Sequence, residues 1–522
     1  MILDDPSIIR PALEELRKSF LSGKTIPIGY RKQQLKNLIR GVKDLEPKFH
    51  EALKKDLGVN SLGSFMLSTN LTIAEAEHAL ANIDKWTSKQ CVDTPFVIGP
   101  ARSYIQPEPY GVALVIGPWN YPVSTSVSYV ASAIAAGNCC IIKPSEVSEH
   151  TSKVIAELFD KYMDKSCYRC IEGKTEVAKA ITREKFDVII FTGSTEKGKL
   201  VAQAAAENLV PCILELGGKS PTIVDRDANL ENAALRIVQG RFLNCGQTCI
   251  ACDYLFVHKE VKVELLRKIQ EKIVEFYGQD PSLSEDYPRI INDFHLQRIK
   301  DYLDEDHGGK VITGGVIKAD QKYIAPTLVY NPKLDSKLMQ EEIFGPVLPI
   351  LEFEDLDYVI KFINERSKPL ALYYYGSTLS KNYKKVKTYT FSGALVANDS
   401  VFHFANSNLP FGGVGHAGYG KLHGYHGFKA FTHFKSVMEK TSINFYPFNV
   451  RYPPYAGSRG KLLRLMLKYS HIKQSSVIKT IILLGLLGVG VRLHQKGKLI
   501  LLSEFVRGLI KLFKNLATGT RV

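Results

Sequence analysis

The chain has 522 residues, of which 45% are hydrophobic and 23% are charged. This composition is ordinary for a folded protein and excludes a disordered, collagen-like or coiled-coil chain. The formal charge of +15 is concentrated at one end: residues 457–522 contain 13 Lys and Arg against one acidic residue, whereas residues 1–456 contain 55 basic and 52 acidic residues. A nearly neutral body with a basic tail argues against a nucleic-acid-binding protein whose basic face runs through its fold.

The first hundred residues predict helices followed by an extended arm. Apolar positions recur at helical spacing over residues 7–57, with breaks at 23–29 and at Gly58, and again over Ala74–Ser88. Residues 92–110 contain four prolines and alternating stretches, which predicts an extended arm or hairpin. The nine scattered cysteines, an odd number without a secretory leader, favour reduced thiols in an intracellular protein.

Short apolar runs then alternate with helical segments. The predicted strands are Val112–Ile116, Cys139–Ile142, Cys167–Ile171, Val188–Phe191 and Cys212–Leu214. The predicted helices between them are Val123–Ala136, Thr151–Met163, Thr175–Ile181 and Lys197–Asn208. This alternation predicts a doubly wound parallel sheet, and a second alternating set over about 220–398 predicts a second α/β domain. We therefore expect domains at 1–211, with the arm at about 92–110, and at 212–400, then a return segment at 401–456 and a helical tail at 457–522.

Glycine-rich or polar segments follow these strands, where ligands of parallel sheets gather. They begin at Gly117-Pro-Trp-Asn-Tyr-Pro, Lys143-Pro-Ser-Glu, Thr192-Gly-Ser-Thr, Glu215-Leu-Gly-Gly-Lys, Asn244-Cys-Gly-Gln-Thr-Cys and Glu341-Glu-Ile-Phe-Gly-Pro. Taken singly, each has an ordinary explanation as a turn, a solvated side chain or a small core residue. Taken together and in this order, they resemble the aldehyde dehydrogenase superfamily over about residues 10–455. The strings at 244–254, 410–415 and 451–454 are similar to its class 3 branch, and within it to the membrane-bound fatty aldehyde dehydrogenases, of the fungal type.

The resemblance implies a catalytic mechanism and its residues. Cys249 is the expected nucleophile, which forms a thiohemiacetal and then a thioester with the aldehyde. Asn120 is expected to donate its side-chain amide to the developing oxyanion, together with the backbone N–H of Cys249. Glu215 is expected to be the general base that activates either Cys249 or the hydrolytic water. The predicted reaction is oxidation of medium- to long-chain aliphatic aldehydes to carboxylic acids.

The resemblance also implies a nicotinamide cofactor in a Rossmann-like first domain. Lys143 and Glu146 are expected to hold the adenosine ribose hydroxyls, and a carboxylate there repels a 2′-phosphate, which favours NAD while leaving NADP possible. Gly193 and Ser194 are expected where a helix N-terminus meets the pyrophosphate. The remaining expected cofactor contacts are Gly198, Glu342, Phe344 and Trp119.

The tail predicts a membrane attachment. The uncharged stretch Thr480–Val491, extended back to Ser475, is marginal in length for a membrane span. Residues 499–516 have the composition of an interfacial amphipathic helix, although a helix packed on the enzyme body is the alternative. The resemblance to fatty aldehyde dehydrogenases implies a helix that covers the substrate entrance, and Lys461–Ile472 is the expected one. The resemblance further implies a homodimer with its catalytic domain facing the cytosol, at the endoplasmic reticulum, lipid droplets or the mitochondrial outer membrane.

Other interpretations of the same residues remain open. Cys167 and Cys170, and Cys249 and Cys252, have zinc-like internal spacing, but the two pairs are too far apart for a zinc ribbon, so no metal is expected. A membrane-resident dehydrogenase for aromatic or short aldehydes would carry the same catalytic residues. A non-catalytic scaffold on the same fold would be expected to have lost Cys249, Glu215 or Asn120, and all three are present.

Overall fold

The structure is a computed structural model, and it describes residues 4–442 and 444–495. The chain forms two compact units, which are Met1–Thr87 with Glu108–His433, and Ser88–Pro107 with Phe434–Val522. The first unit contains two large sheets and the second a small one, so the α/β class predicted from the alternating pattern is confirmed. The predicted domain boundaries remain predictions.

The first large sheet has six strands and carries most of the predicted elements. In spatial order these are Gly418–Tyr419, Cys212–Leu216, Val188–Gly193, Val112–Ile116, Cys139–Lys143 and Tyr168–Cys170. Neighbouring strands are parallel except Gly418–Tyr419, which runs antiparallel to Cys212–Leu216. Every residue of Val112–Ile116 and of Cys139–Lys143 is buried, as expected for central strands covered by helices on both faces.

Helices surround this sheet in the sequence order that the periodicity predicts. They are Ile9–Leu21, Ile28–Asp44, Glu46–Leu57, Ser61–Ser64, Asn70–Thr87, Val127–Ala136, Glu149–Tyr162, Thr175–Ile181 and Thr195–Glu207, with Gly424–Ala430 returning later in the chain. A single π-helical turn, Phe65–Thr69, joins Ser61–Ser64 to Asn70–Thr87. The helix predicted from Val123 begins instead at Val127, because residues 122–126 form turns in which hydroxyl groups bond back to carbonyls.

The second large sheet has seven strands. In spatial order these are Lys310–Thr313, Thr327–Tyr330, Val347–Phe353, Tyr254–His258, Pro221–Val224, Ala371–Tyr375 and Ala394–Ala397. All pairs are parallel except the first. Its helices are Leu230–Phe242, Lys262–Tyr277, Asp293–Asp304, Lys337–Gln340, Leu356–Asn364 and Lys381–Tyr389, and a small hairpin joins Ile317–Lys318 to Tyr323–Ile324. Two hydrophobic clusters, one on each face, hold the sheet between its helices.

The second unit contains the predicted arm and the start of the tail. Gln90–Val92 pairs antiparallel with Ala101–Pro109, and Thr432–Lys440 is the third strand of the same sheet. Helix Ser458–Lys468 packs through Met466 against Val97 and Val450. Helix Gln474–Gln495 follows, and the Gln474 side chain accepts a hydrogen bond of 3.0 Å from the backbone N–H of Ala101.

The tail helices differ from the predicted ranges. The expected covering helix at Lys461–Ile472 is Ser458–Lys468, and its role as a cover remains a prediction. Among the residues that the structure describes, no helix has the length and apolar composition needed to cross a bilayer. The predicted amphipathic helix at 499–516 lies outside the described residues.

Candidate active site

Four neighbouring strands of the six-stranded sheet bring predicted site residues to one edge. Val112–Ile116 leads to Trp119 and Asn120, and Cys139–Lys143 ends on Lys143, with Glu146 three residues later. Val188–Gly193 ends on Gly193, and Cys212–Leu216 carries Glu215. Glu215 was predicted to follow a strand ending at Leu214, but the strand continues to Leu216, so Glu215 belongs to the strand itself.

The loop that carries Cys249 is held in an unusual conformation. Asn244 and Cys245 have positive φ values of 51° and 55°, and Gly246 has a φ of 73°. A Cβ atom on Gly246 would lie 2.2 Å from the carbonyl oxygen of Gly345, so only glycine allows this close approach. The loop is therefore fixed by its backbone directly against the segment that contains Glu342 and Phe344.

Asn120 lies against the same loop. Its buried side-chain amide donates a hydrogen bond of 2.9 Å to the carbonyl of Gln247, two residues before Cys249. The Asn244 amide donates in turn to the carbonyl of Asn120, at 3.0 Å, and the Tyr121 hydroxyl lies 2.7 Å from that of Thr248. The structure thus brings the predicted oxyanion donor and the predicted nucleophile together.

Burial dominates the electrostatics of Cys249. Desolvation raises the pKa of its thiol to about 12, and the nearby carboxylates of Glu342 and Glu215 act in the same direction. The backbone N–H groups of Cys249 and Ile250 partly oppose this shift. At neutral pH the resting side chain is therefore a thiol, and its proton must leave when the sulfur attacks a carbonyl.

No hydrogen bond from the described residues offsets the burial of the Glu215 carboxyl. Its side chain is 2% exposed, and neither carboxyl oxygen has a hydrogen-bond partner within residues 4–442 and 444–495. Burial raises the pKa of this carboxyl well above its usual range, while the charge of Lys421 opposes the shift. A Cβ atom on Gly412 would lie 2.6 Å from Glu215 Oε1, so the carboxyl packs on the Gly412 backbone. Glu215 is close enough to Cys249 for its charge to raise the pKa of the thiol.

Glu342 and Phe344 lie beside the turn after Glu215. A Cβ atom on Gly217 would come within 2.0 Å of Glu342 Oε2, and the backbone N–H of Gly218 donates to the same carboxylate. Burial raises the pKa of Glu342 to about 8, and its Oε1 is shielded from solvent without a partner among the described residues. The Phe344 ring meets the Trp119 ring edge-on at 5.3 Å between centroids.

The remaining predicted cofactor residues occupy the other strand ends. Lys143 Nζ, 2% exposed, donates to Glu146 Oε2 at 3.0 Å. Ser194 caps helix Thr195–Glu207 and accepts from the N–H of Lys197. Gly198 is buried, and a Cβ there would lie 2.5 Å from Leu216 Cδ2. The structure therefore gives Gly198 a packing role, since it lets the helix approach the neighbouring strand.

A cavity of about 180 Å³ opens next to the Cys249 loop. Its inner wall includes Asn120, Tyr121 and Asn244. The rest is largely apolar, with side chains from Leu53, Leu57, Val59, Leu62, Met66, Leu67 and Leu243, and it also includes the polar residues Asn60, Ser64, Ser68 and Asp286. Leu62 and Met66 are 64% and 39% exposed, so they mark the mouth. The cavity could receive a hydrocarbon chain and direct its head towards Asn120.

Several residues that organise the site were not predicted. Gln247 donates to the carbonyls of Asn244 and Arg289 and accepts from the N–H of Ile291. Asp253 pairs with the buried Lys219 and Arg241. The signals available in the sequence were the position of Gln247 inside the nucleophile motif and of Lys219 directly after the two glycines. All nine cysteines are free thiols, and no group of three potential metal ligands occurs in the described part of the chain.

Comparison with known proteins decides the family. Residues 5–437 match the aldehyde dehydrogenase family. The chain belongs to the aldehyde dehydrogenase family. It is therefore an enzyme that oxidises aldehydes, and the family uses NAD(P).

The relatives place this aldehyde dehydrogenase near family 3. It is 41% identical to 4,4′-diaponeurosporen-aldehyde dehydrogenase of Staphylococcus aureus, over 86% of this chain and 97% of the relative. It is 40% identical to aldehyde dehydrogenase family 3 member A2 of Rattus norvegicus, over 86% and 92% of the two chains. A solved structure of the substrate-bound state of Staphylococcus aureus AldH matches with a TM-score of 0.85 and 40% identity, over 88% of this chain and 99% of the other.

Proposed function

We propose that this aldehyde dehydrogenase oxidises medium- to long-chain aliphatic aldehydes to carboxylic acids, with NAD preferred over NADP. The observation that carries the proposal is the apolar cavity that ends at Asn120 and Asn244, beside the Cys249 loop. Each methylene buried there contributes about 0.8 kcal/mol, so an alkyl chain gains affinity with length until the cavity is filled. The name of the staphylococcal relative, which denotes a carotenoid aldehyde, also supports a large apolar substrate.

In the proposed reaction, Cys249 bonds through its sulfur to the aldehyde carbon while the thiol proton leaves to solvent, and the C=O π electrons move to oxygen to give the oxyanion of a thiohemiacetal. An amide NH₂ has two donors, so one N–H of Asn120 can hold the Gln247 carbonyl while the other donates to the new oxyanion. Loss of a hydride from the adduct gives a thioester, which water hydrolyses to the acid. We assign Glu215 to the hydrolytic step, in which its carboxylate form accepts a proton from the attacking water, because Glu215 has no hydrogen bond to Cys249 among the described residues.

The residues at the strand ends fit a nicotinamide dinucleotide. The unpartnered Oε1 of Glu342 is a free acceptor for a ribose hydroxyl, and the carboxylate of Glu146 is another. The exposed N-terminus of helix Thr195–Glu207 suits a pyrophosphate. When bound, the cofactor supplies the hydride acceptor. Some relatives are named as NADP-preferring, so the proposed preference for NAD depends on the charge of Glu146.

A chain-length series tests the substrate assignment. We expect kcat/KM to rise about fourfold per methylene across short aliphatic aldehydes and then to level off. Leu62→Lys, which places a charge at the cavity mouth, should lower kcat/KM several-fold for long aldehydes and leave short ones unchanged. Leu379→Lys, at a residue 85% exposed and outside the cavity lining, is the matched control. A preference for aromatic or short aldehydes, indifferent to Leu62→Lys, would contradict the proposal.

We further propose that the tail attaches the enzyme to a membrane. Thirteen basic residues against one acidic residue after position 456 favour anionic lipid surfaces, and exposed apolar side chains such as Leu484, Leu487 and Val491 occur on helix Gln474–Gln495. Deleting residues 475–522 should move the protein into the soluble fraction, reduce activity on membrane-embedded aldehydes and spare activity on a short soluble one. A truncated protein that remains with membranes would refute the attachment.

The proposed assembly and location are those implied by class 3 relatives. The enzyme is a homodimer with its catalytic domain in the cytosol, on the endoplasmic reticulum, lipid droplets or the mitochondrial outer membrane. Sedimentation of the tail-deleted protein at twice the monomer mass supports the dimer, and a monomer mass contradicts it. Imaging of a fluorescent fusion against markers of the three organelles tests the location, and a diffuse cytosolic or nuclear signal contradicts it.

A further inference from the structure

A buried charge cluster, made of Lys219, Arg241 and Asp253, lies beneath the Cys249 loop. Asp253 Oδ2 accepts from Lys219 Nζ at 2.6 Å, and Asp253 Oδ1 accepts from an Arg241 guanidinium nitrogen at 3.0 Å. The side chains of Arg241, Asp253 and Lys219 are 0%, 3% and 11% exposed. Lys219 and Asp253 each precede one of two neighbouring parallel strands, in which Pro221 lies opposite Tyr254. The roles proposed above use none of these three side chains.

Each member of the cluster also bonds to the backbone of one short segment, Glu341–Gly345. Lys219 Nζ donates to the carbonyl of Glu341 at 2.9 Å, and Arg241 donates to the carbonyl of Gly345. Asp253 Oδ1 accepts from the N–H of Ile343 at 3.3 Å. The cluster therefore bonds to alternate residues of the segment, namely the first, third and fifth. The residues between these bonds are Glu342 and Phe344, which the cofactor assignment uses.

The segment has a conformation that needs such support. Phe344 has a φ of 46°, in the left-handed region that a bulky residue rarely adopts. A strained residue of this kind persists only where its surroundings fix the backbone. Arg298 adds bonds to the carbonyls of Ile343 and Phe344, at 2.9 and 3.4 Å. The Gly246 backbone packs on the Gly345 carbonyl, so the segment lies directly beside the Cys249 loop.

We propose that Asp253 is a positioning residue, which acts through Lys219 and Arg241. Together they keep Glu342 and Phe344 at fixed positions relative to Cys249. The proposal rests on the proposed function, because it takes Glu342 and Phe344 as cofactor contacts. Asp253 touches neither substrate nor cofactor in this account. Its negative charge keeps two buried cations in place, and those cations fix the carbonyls on either side of Glu342 and Phe344. Loss of the charge releases the segment while the Cys249 loop keeps its own bonds to Asn120 and Gln247.

The test compares Asp253→Asn and Lys219→Met with a matched control. Asp225→Asn removes another buried carboxylate charge, directly after strand Pro221–Val224 of the same sheet, whose side-chain partners are Tyr374 and Asn382. The full-length apoenzyme is titrated with NAD by calorimetry, and Cys249 is alkylated with iodoacetamide in the absence of NAD. We expect Asp253→Asn and Lys219→Met to weaken NAD binding and raise KM for NAD about 10- to 100-fold, with a smaller change in kcat. Alkylation of Cys249 should stay within about threefold of wild type, since that loop is held separately.

Rescue by a conservative change distinguishes positioning from general stability. Lys219→Arg can donate to both Asp253 and the Glu341 carbonyl, and should bind NAD within about threefold of wild type. If Asp253→Asn does not fold, Lys219→Met and Lys219→Arg carry the same comparison. NAD binding weakened no more by Asp253→Asn or Lys219→Met than by Asp225→Asn would overturn the proposal, as would a failure of Lys219→Arg to rescue. The titration contains no aldehyde, so it tests the positioning role independently of the substrate. A wild-type enzyme that binds NAD but oxidises no aliphatic aldehyde would contradict the proposed function and leave the positioning role of Asp253 standing.

Discussion

Gly217→Ala probes the contact between the turn after Glu215 and the Glu342 carboxylate. The added Cβ would lie 2.0 Å from Glu342 Oε2 and 2.6 Å from its carboxyl carbon, against an ordinary contact of 3.4 Å or more. Gly217 does not have a positive φ, so alanine is compatible with its backbone and the steric effect is isolated. The carboxylate must retreat by roughly 1 Å, a displacement that can cost about 100-fold in rate where it misplaces a reacting group.

The effects of Gly217→Ala on stability and on NAD binding can be measured separately. Overpacking of a buried site costs about 1–3 kcal/mol of unfolding free energy, which leaves a folded protein. Because Glu342 is displaced from its position beside Gly218, we expect KM for NAD to rise about 10- to 100-fold. Steady-state kinetics and calorimetric titration of the apoenzyme with NAD measure the effect, and urea unfolding measures the stability.

Gly29→Ala is the control for the chemical change itself. Gly29 lies in helix Ile28–Asp44 with no atom within 4 Å of an added Cβ, so alanine should stabilise the protein by about 0.4–1 kcal/mol and leave kinetics unchanged. A folded Gly217→Ala enzyme with wild-type affinity and KM for NAD would refute the assignment of Glu342 to the cofactor.

Three further predictions concern charge. Glu146→Gln should raise KM for NAD about 10-fold and change KM for NADP less, because it removes both a ribose acceptor and a repulsive charge; equal losses with both cofactors would show that Glu146 does not face the 2′ position. Alkylation of Cys249 in the apoenzyme should accelerate about tenfold per pH unit between pH 7 and 10, since burial raises the pKa of the thiol to about 12; a plateau below pH 9 would contradict that burial. Burial gives the carboxyl of Glu215 a higher pKa in the folded protein than in the unfolded chain. The free energy of unfolding is therefore highest at low pH, and it falls as the pH rises above about 4.5, the pKa in the unfolded chain. Urea unfolding of Glu215→Gln should therefore show a gain over wild type that grows from pH 5 to pH 8, and a gain independent of pH would argue against a raised pKa of Glu215.

Local sequence patterns predicted the elements whose ends carry strong signals. Strand Val112–Ile116 and helix Thr175–Ile181 have the predicted bounds, because the continuous apolar run stops at Gly117 and the helical period of apolar residues ends at Ile181. The strand ending at Leu216 extends beyond its prediction because its last residues, Glu215 and Leu216, pair with Thr192 and Gly193 across the sheet, which a charged residue after an apolar run does not reveal.

The candidate site was predictable only where residues lie close in sequence. The residues after each strand were singled out because the carboxyl ends of parallel strands meet, and the resemblance to the aldehyde dehydrogenases gave Cys249 and these residues their roles. The contacts of Asp253 with Lys219, Arg241 and Ile343 join four separate parts of the chain, and no local pattern indicates them. The raised pKa values of Glu215 and Cys249 are likewise a consequence of tertiary burial, which residue type alone does not give.

The central claim is that Cys249 forms a thioester with an aliphatic aldehyde. The most direct measurement mixes enzyme, NAD and a long-chain aldehyde, quenches with acid within one turnover, and maps peptides by mass spectrometry. We predict one acyl group on the peptide that contains Cys249, and neither acyl group nor acid product with Cys249→Ser. An acyl group on another cysteine, or acid formation by Cys249→Ser at the wild-type rate, would contradict the account.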